Sequence, residues 1–206
     1  MENKDKAGKK RDTSAKRKSI LDAAIRTFRD EGYESASMDR IAENAGASKR
    51  TVYNHFPSKD DLFQAVIDQF GQEMRSMKLI PYDTTRTLEE QLADFADAEL
   101  AVVNDPVWMG FIKVLLSVFI RNPELARKAV SRHAASEDSV TAWIRAAALD
   151  GKLLVDDPSM AAGVFTAMMG GAFTWPAVYR GGLDLMNIPA LKKELIDTFL
   201  CRYRRV

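Results

Sequence analysis

The stretch Ser48–Lys59, "SKRTVYNHFPSK", is unusual for a helix that packs in a protein core. It combines basic side chains, two aromatic rings, hydroxyl groups and a proline with the apolar side chains of Val52 and Phe56. A rotation of about 100° per residue places Val52 and Phe56 on one face of a helix. The same rotation places Arg50 and Asn54 opposite them, so the segment has an apolar side and a side suited to hydrogen bonding.

Two helices are predicted upstream of this segment. The first covers about residues 15–31 and ends at Gly32, a residue type that commonly closes a helix. The second covers about residues 38–45, begins after the N-cap residue Ser37 and is followed by another glycine. Because a three-residue turn separates it from the helix predicted over 49–55, the segments form the pattern of a helix-turn-helix.

The rest of the chain is also predicted to be helical. Apolar residues recur at helical spacing and strand signals are scarce, so the sequence predicts an all-α fold. Further helices are predicted near residues 59–78, 87–104, 107–121, 123–133, 135–150, 158–174 and 189–204.

Composition argues against several classes of protein. A single cysteine, Cys201, excludes an internal disulfide framework, and two histidines make a structural zinc site improbable. The apolar runs are shorter than the ~20 residues that span a bilayer, and the lysine-rich N-terminus has no apolar signal region. We therefore expect a cytoplasmic protein without cofactor, metal or membrane association.

The net charge of +1 conceals an asymmetry along the chain. Residues 1–60 hold 14 Lys and Arg against 10 Asp and Glu, and eight of the basic residues lie among the first eighteen. This basic run is either a solvated, disordered tail or a flexible arm that adds affinity for phosphate groups. The run alone does not distinguish the two.

The outward face of the segment over 49–55 has the chemistry of a major-groove reader. Arginine pairs with guanine O6 and N7, and asparagine pairs with adenine N6 and N7, which suits Arg50 and Asn54. Thr51 and Tyr53 lie on the flanks, where hydroxyl groups reach the phosphates that wall the groove. Taken singly, Arg50 also fits an ordinary surface charge, and His55 fits either a packing histidine or a phosphate contact.

The segment Ser37–Phe63, "SMDRIAENAGASKRTVYNHFPSKDDLF", resembles the DNA-binding domain of the TetR family of bacterial transcriptional regulators. The residues that match the family pattern are Ile41, Ala42, Ala45, Gly46, Ser48, Tyr53, His55, Phe56, Lys59 and Leu62. The resemblance implies a homodimer that binds a palindromic operator in double-stranded DNA and acts most often as a repressor.

The resemblance also assigns roles to individual residues. Those matching Tyr53, His55 and Lys59 contact phosphates in the family, and those matching Lys49, Arg50 and Asn54 lie where bases are read. The candidate DNA-binding residues are therefore Ser37, Ser48, Lys49, Arg50, Thr51, Tyr53, Asn54, His55 and Lys59.

The later part of the chain, from Phe119 to Phe173, is similar to the second domain of TetR-family members of the AcrR and AefR-like kind. Such domains dimerise and hold an effector pocket. The resemblance implies three parts: a disordered basic arm over 1–14, a helix-turn-helix domain over 15–60, and a helical effector-binding and dimerisation domain over 61–206. The Ala- and Gly-rich helices near 139–149 and 160–173 allow close helix packing, within one chain or between two.

Bulky and soft side chains in the second part are candidates for an effector pocket that takes a small apolar or aromatic molecule. These candidate effector residues are Trp108, Phe111, Phe119, Trp143, Phe165, Met168, Met169 and Phe173. Ordinary core packing would explain the same side chains equally well. Two other functions stay open: a DNA-binding regulator controlled by a protein partner, and a helical enzyme, although the chain has no G-x-S-x-G or P-loop motif.

Overall fold

The computed structural model describes residues 2–77, 79–133, 138–183 and 186–205. Within these ranges the ordered elements are helices, and extended pairing is limited to one antiparallel bridge between Leu153 and Arg204. The predicted all-α fold is confirmed. The helices are, in chain order, α1 (Glu2–Ser35), α2 (Met38–Asn44), α3 (Lys49–His55), α4 (Lys59–Met77), α5 (Leu88–Asn104), α6 (Pro106–Arg121), α7 (Pro123–His133), α8 (Ser139–Leu149), α9 (Pro158–Met169), α10 (Trp175–Arg180) and α11 (Ile188–Tyr203).

The first helix is longer than the sequence predicts, because its backbone is helical from Glu2 onward. Residues 2–14, predicted as a disordered arm, are thus helical in this structure. Most of them are Lys, Arg, Glu and Ala, which are good helix formers, and extending an existing helix adds one hydrogen bond for each residue fixed. The regular helix breaks at Gly32, whose φ of 79° and ψ of 164° are not helical.

The helix predicted over 158–174 is interrupted. After α9, residues Gly170–Thr174 form a π-helical turn, and α10 follows it directly. One extra residue in a helical turn shifts the face on which every later side chain lies. The predicted start of the helix over 135–150 falls within residues 134–137, which lie outside the described part of the chain.

The described chain divides into two compact units, and each is considered by itself. The first contains residues 1–72 and 110–132, and the second contains residues 73–109 and 133–206. The first unit is larger than the domain predicted over 15–60. The reason is that the first half of α4 contributes fully buried side chains to its core, namely Leu62, Phe63 and Val66.

An aromatic cluster forms the centre of the first unit. The rings of Phe28 and Phe63 meet edge to face with centroids 5.3 Å apart, and Tyr33 lies 4.7 Å from Phe63. Phe63 also lies 6.3 Å from Phe111, whose ring stacks on that of Phe70 with centroids 3.9 Å apart. This cluster joins the end of α1 to α4 and α6.

The core of the second unit is also aromatic. Phe95 of α5 forms edge-to-face pairs with Trp143 and Phe165, and Phe165 packs against Phe199 of α11. Trp143, Phe165 and Phe199 are at most 1% exposed. The helices α5, α8, α9 and α11 therefore share one apolar core.

One stretch of the described chain, Pro158–Arg180, is long and apolar enough to cross a membrane by length and composition. A third of its most apolar window is buried inside the protein, including Phe165 and Phe173. Core helices of soluble proteins can be equally long and apolar.

A buried glutamine, Gln91 of α5, fixes the loop before its own helix. Its amide nitrogen donates to the carbonyls of Asp83, Arg86 and Thr87, and its amide oxygen accepts from Asp83 N and from the indole nitrogen of Trp143 at 3.0 Å. Every polar atom of this fully buried side chain is therefore paired. Such a network is favourable only while it stays complete.

We expect Gln91→Leu to lower the free energy of unfolding by about 2–4 kcal/mol, because it leaves buried donors and acceptors unpaired. Chemical denaturation measures this loss. The double variant Gln91→Leu/Trp143→Phe removes the indole donor as well, so its loss should be smaller than the sum of the two single losses. Simple additivity of the two losses would contradict the network.

Candidate nucleic-acid interface

The recognition segment α3 is anchored at both ends and on one face. The hydroxyl of Ser48 caps the helix by accepting from Thr51 N at 3.1 Å, and it shares a second hydrogen bond with the Thr51 hydroxyl. Val52 is fully buried and Phe56 is 3% exposed, as the helical rotation predicts. A helix this short is held by such contacts rather than by its own stability.

The opposite face of α3 is open to solvent. Arg50 and Asn54 are exposed, and Tyr53 keeps 47% of its surface accessible. His55 is half-buried beside Phe56, with ring centroids 6.2 Å apart, so it lies between the core and the exposed face. Arg50 and Asn54, predicted to read bases, and Tyr53, predicted to contact phosphate, are therefore together on one accessible surface, which we call the α3 face (Arg50, Tyr53 and Asn54).

The helix before the turn is capped in the same way. Ser37 accepts from Arg40 N at 3.2 Å and begins α2, so its hydroxyl has a structural role. Lys49 at the start of α3 forms an exposed ion pair with Asp39 of α2, with 2.5 Å between Nζ and the carboxylate oxygen. The two serines predicted as DNA contacts thus both serve as N-caps, and Lys49 bridges the two helices.

The turn between α2 and α3 is held from α1 by contacts that the sequence did not predict. Lys16 donates to the carbonyl of Gly46 at 2.8 Å, and the Ser19 hydroxyl donates to the carbonyl of Ala45 at 3.0 Å. The guanidinium of Arg17 lies 5.0 Å from the centre of the Phe56 ring. Because these partners are about thirty residues apart in the chain, no local sequence pattern marks them.

Lys59, predicted to contact phosphate, has its ammonium group at the end of α1. It donates to the carbonyls of Tyr33, Glu34 and Ala36 and lies over the Tyr33 ring. The hydroxyl of Tyr33 donates to the carboxylate of Asp60. Burial, reinforced by this hydrogen bond, raises the pKa of Tyr33 far above its usual range, so its hydroxyl stays a donor.

The predicted effector residues are distributed over both units. Phe111 and Phe119 belong to the first unit, where Phe111 stacks on Phe70. The other six belong to the second unit, and most of them are core residues: Trp108, Trp143, Phe165, Met169 and Phe173 are buried, and Met168 is half-buried. Packing accounts for the contacts of these buried rings.

Two surface hollows of the second unit nevertheless include residues of the predicted set. One, of about 250 Å³, is lined by Arg75 near the end of α4, by Tyr82 and by Trp143. The other, of about 260 Å³, is lined by Phe173, Pro176 and Arg180 among others. In the first hollow, burial raises the pKa of Tyr82 to about 12, helped by its hydrogen bond to Asp150.

Sequence families and relatives match both parts of the chain. Residues 20–66 match the model for bacterial regulatory proteins of the tetR family, and residues 90–205 match the model for the AefR-like transcriptional repressor C-terminal domain. The transcriptional activator FasR of Mycolicibacterium smegmatis is 29% identical over 125 residues. That match covers 61% of this chain and 57% of FasR, so the chain spans less than two thirds of this relative.

Solved structures match over nearly the whole chain. A TetR-family transcriptional regulator from Pseudomonas syringae pv. tomato is 33% identical, with a TM-score of 0.76 and coverage of 92% of this chain and 97% of that one. The flavonoid-responsive regulator FrrA is 26% identical, with a TM-score of 0.72 and the same coverage. The chain belongs to the TetR family of helix-turn-helix transcriptional regulators.

Proposed function

We propose that this protein is a ligand-responsive repressor that binds a palindromic DNA operator as a homodimer and is released by a small apolar or aromatic effector. The observation that carries the DNA-reading part is the α3 face. Arg50 and Asn54 are accessible on a helix whose other side is buried through Val52 and Phe56. A helix anchored in this way offers base-reading side chains to the major groove in a fixed orientation.

An exposed glycine supports the homodimer. Gly163 lies in the middle of α9 on an exposed face, and no heavy atom is within 4 Å of the position that a Cβ would take. Glycine in a helix costs about 0.5–1 kcal/mol relative to alanine, and no atom of the described residues comes close enough to Gly163 to require it. Close approach by a second helix gives a reason for it.

The surroundings of Gly163 are those of a helix contact surface. Exposed apolar or small residues continue along the same side of α9 and into the π-helical turn, and they are Met160, Val164, Ala167 and Gly171. A contiguous apolar face of this kind on a soluble protein commonly marks an interface. In a two-fold dimer the same face meets itself, and the two α3 helices read half-sites about 34–36 Å apart or at a multiple of that spacing.

The hollow beside Trp143 supports the response to an effector. Its volume of about 250 Å³ is just below the roughly 300 Å³ at which ligand pockets begin, so it admits only a small molecule, and its aromatic wall suits an apolar or aromatic one. Arg75, which lines it, is in α4, the helix that begins at Lys59 directly after the recognition segment. A molecule that displaces the end of α4 therefore has a mechanical route, through a single helix, to the DNA-binding residues.

Arg50→Ala and Asn54→Ala should each relax base preference at one position of the operator and lower affinity by about 1–3 kcal/mol per base pair read. Selection of bound sequences from random duplex DNA measures both effects. Tyr53→Phe is the matched control, since loss of a hydroxyl aimed at the backbone should weaken all sequences evenly. A selected site that is identical for Arg50→Ala and the unaltered protein would exclude Arg50 as a base reader.

Gly163→Trp should weaken dimerisation at least about tenfold, because the ring occupies the space of the second helix. Analytical ultracentrifugation measures the dimer, and circular dichroism confirms that the helices persist. Lys128→Trp, at an exposed position of α7, is the control for adding an exposed ring. A dimer of unchanged affinity in Gly163→Trp would show that α9 is not the interface.

A small aromatic compound that binds the hollow should bind less tightly when operator DNA is present, by the same factor by which it weakens DNA binding. A panel of such compounds, followed by tryptophan fluorescence with and without operator, tests this reciprocity. Ala142→Leu, which fills the hollow, should abolish the response, whereas Lys152→Leu outside it should not. Equal affinities with and without DNA would leave a constitutive DNA binder or one controlled by a protein partner.

A further inference from the structure

The ammonium group of Lys59 is fully used inside the first unit. Its Nζ lies 2.8 Å from the carbonyl oxygen of Tyr33, 3.1 Å from that of Glu34 and 3.2 Å from that of Ala36. A lysine ammonium has three N–H donors and no acceptor, so one donor is assigned to each carbonyl. The first two carbonyls belong to the last turn of α1 and the third follows it directly, where the break at Gly32 and the end of the helix leave backbone groups without helical partners.

Contacts of Tyr33 also attach the start of α4 to the end of α1. The ammonium lies 4.5 Å from the centre of the Tyr33 ring, within the range of a cation–π interaction. Tyr33 is 8% exposed, packs against Phe28 and Phe63, and donates its hydroxyl to Asp60. The first two residues of α4 are thus both attached to the end of α1, one through its ammonium and one through its carboxylate.

The connection from α3 to α4 is short enough to transmit this attachment. α3 ends at His55 and α4 begins at Lys59, and the first linking residue, Phe56, is buried. A displacement of the start of α4 therefore moves the end of the recognition helix. Base reading requires donor and acceptor atoms at hydrogen-bond distance, so a small displacement is enough to lose it.

We propose that Lys59 is a positioning residue: it fixes the start of α4 on the end of α1 and thereby orients the α3 face, and it does not neutralise a DNA phosphate. A phosphate contact would require the ammonium to give up its hydrogen bonds to the carbonyls of Tyr33 and Ala36, which are part-buried, and leaving part-buried acceptors without a donor is unfavourable. The inference rests on the proposed operator binding and adds a specific role for this lysine.

Salt dependence distinguishes the two roles. The logarithm of affinity falls with the logarithm of salt concentration in proportion to the number of phosphates neutralised. Lys59→Met should lower affinity for the selected operator at least about tenfold while leaving the salt slope and the affinity for random duplex DNA unchanged. Lys49→Met, which removes an exposed lysine that forms an ion pair with Asp39, should instead reduce the slope by about one for each protomer.

Tyr33→Phe provides a second test that changes no charge. It removes the hydrogen bond to Asp60 but keeps the ring under the ammonium, so it should lower operator affinity with an unchanged salt slope. All affinities are measured at a temperature where circular dichroism shows each variant fully folded. When every variant is fully folded, loss of a residue that matters only for stability does not change the ratio of operator affinity to random-DNA affinity. An unchanged ratio in Lys59→Met and Tyr33→Phe would therefore overturn the positioning role.

A flatter salt slope in Lys59→Met, with equal losses on operator and random DNA, would overturn the inference in favour of a phosphate contact. Failure of the unaltered protein to bind any selected duplex would overturn the proposed function together with this inference. The two failures are therefore distinguishable in one set of titrations.

Discussion

A helix as short as α3 has no independent stability in water, since isolated helices below about 12–15 residues are marginal. Its shape and direction come from the burial of Val52 and Phe56 on one side. The burial of these two side chains therefore also determines the direction in which the exposed side chains of α3 point. The surrounding structure, including the Ser48 cap and the α1 side chains that hold the preceding turn, preserves this one constraint.

Local signals in the sequence were sufficient for the helix-turn-helix. The cap at Ser37, the glycine after α2 and the period of the apolar residues act within a few residues of each other, and the structure has each of them, with a positive φ of 55° at Gly46. The roles of Lys16 and Lys59 were not accessible in the same way. An exposed basic side chain is chemically suited to a phosphate oxygen and to a backbone carbonyl alike, and only the folded chain shows which acceptor is near.

The second unit shows a different limit of sequence reasoning. Aromatic and Met residues at helical spacing predict burial correctly, but the same composition fits a filled core and a lined pocket. Trp143 belongs to both descriptions, because it is 1% exposed, pairs with Gln91 and still forms one wall of a hollow. The π-helical turn at Gly170–Thr174 was also missed, since one inserted residue leaves the apolar character of the stretch unchanged.

Lys49 at the start of α3 and Lys59 at the start of α4 show that positive charge in this fold serves structure at one position and is available for binding at another. Lys49 is paired with Asp39 in an exposed ion pair, and such pairs contribute at most about 1 kcal/mol, so exchanging the carboxylate for a phosphate costs little. Lys59 donates to three carbonyls, two of them in part-buried hydrogen bonds, and leaving a buried acceptor unpaired costs up to about 1–3 kcal/mol. The first exchange is therefore accessible during encounters with DNA, whereas the second opposes the contacts that hold the recognition helix in place. Two lysines that the family resemblance assigns to DNA contact can thus differ in function according to the acceptors that the fold already supplies.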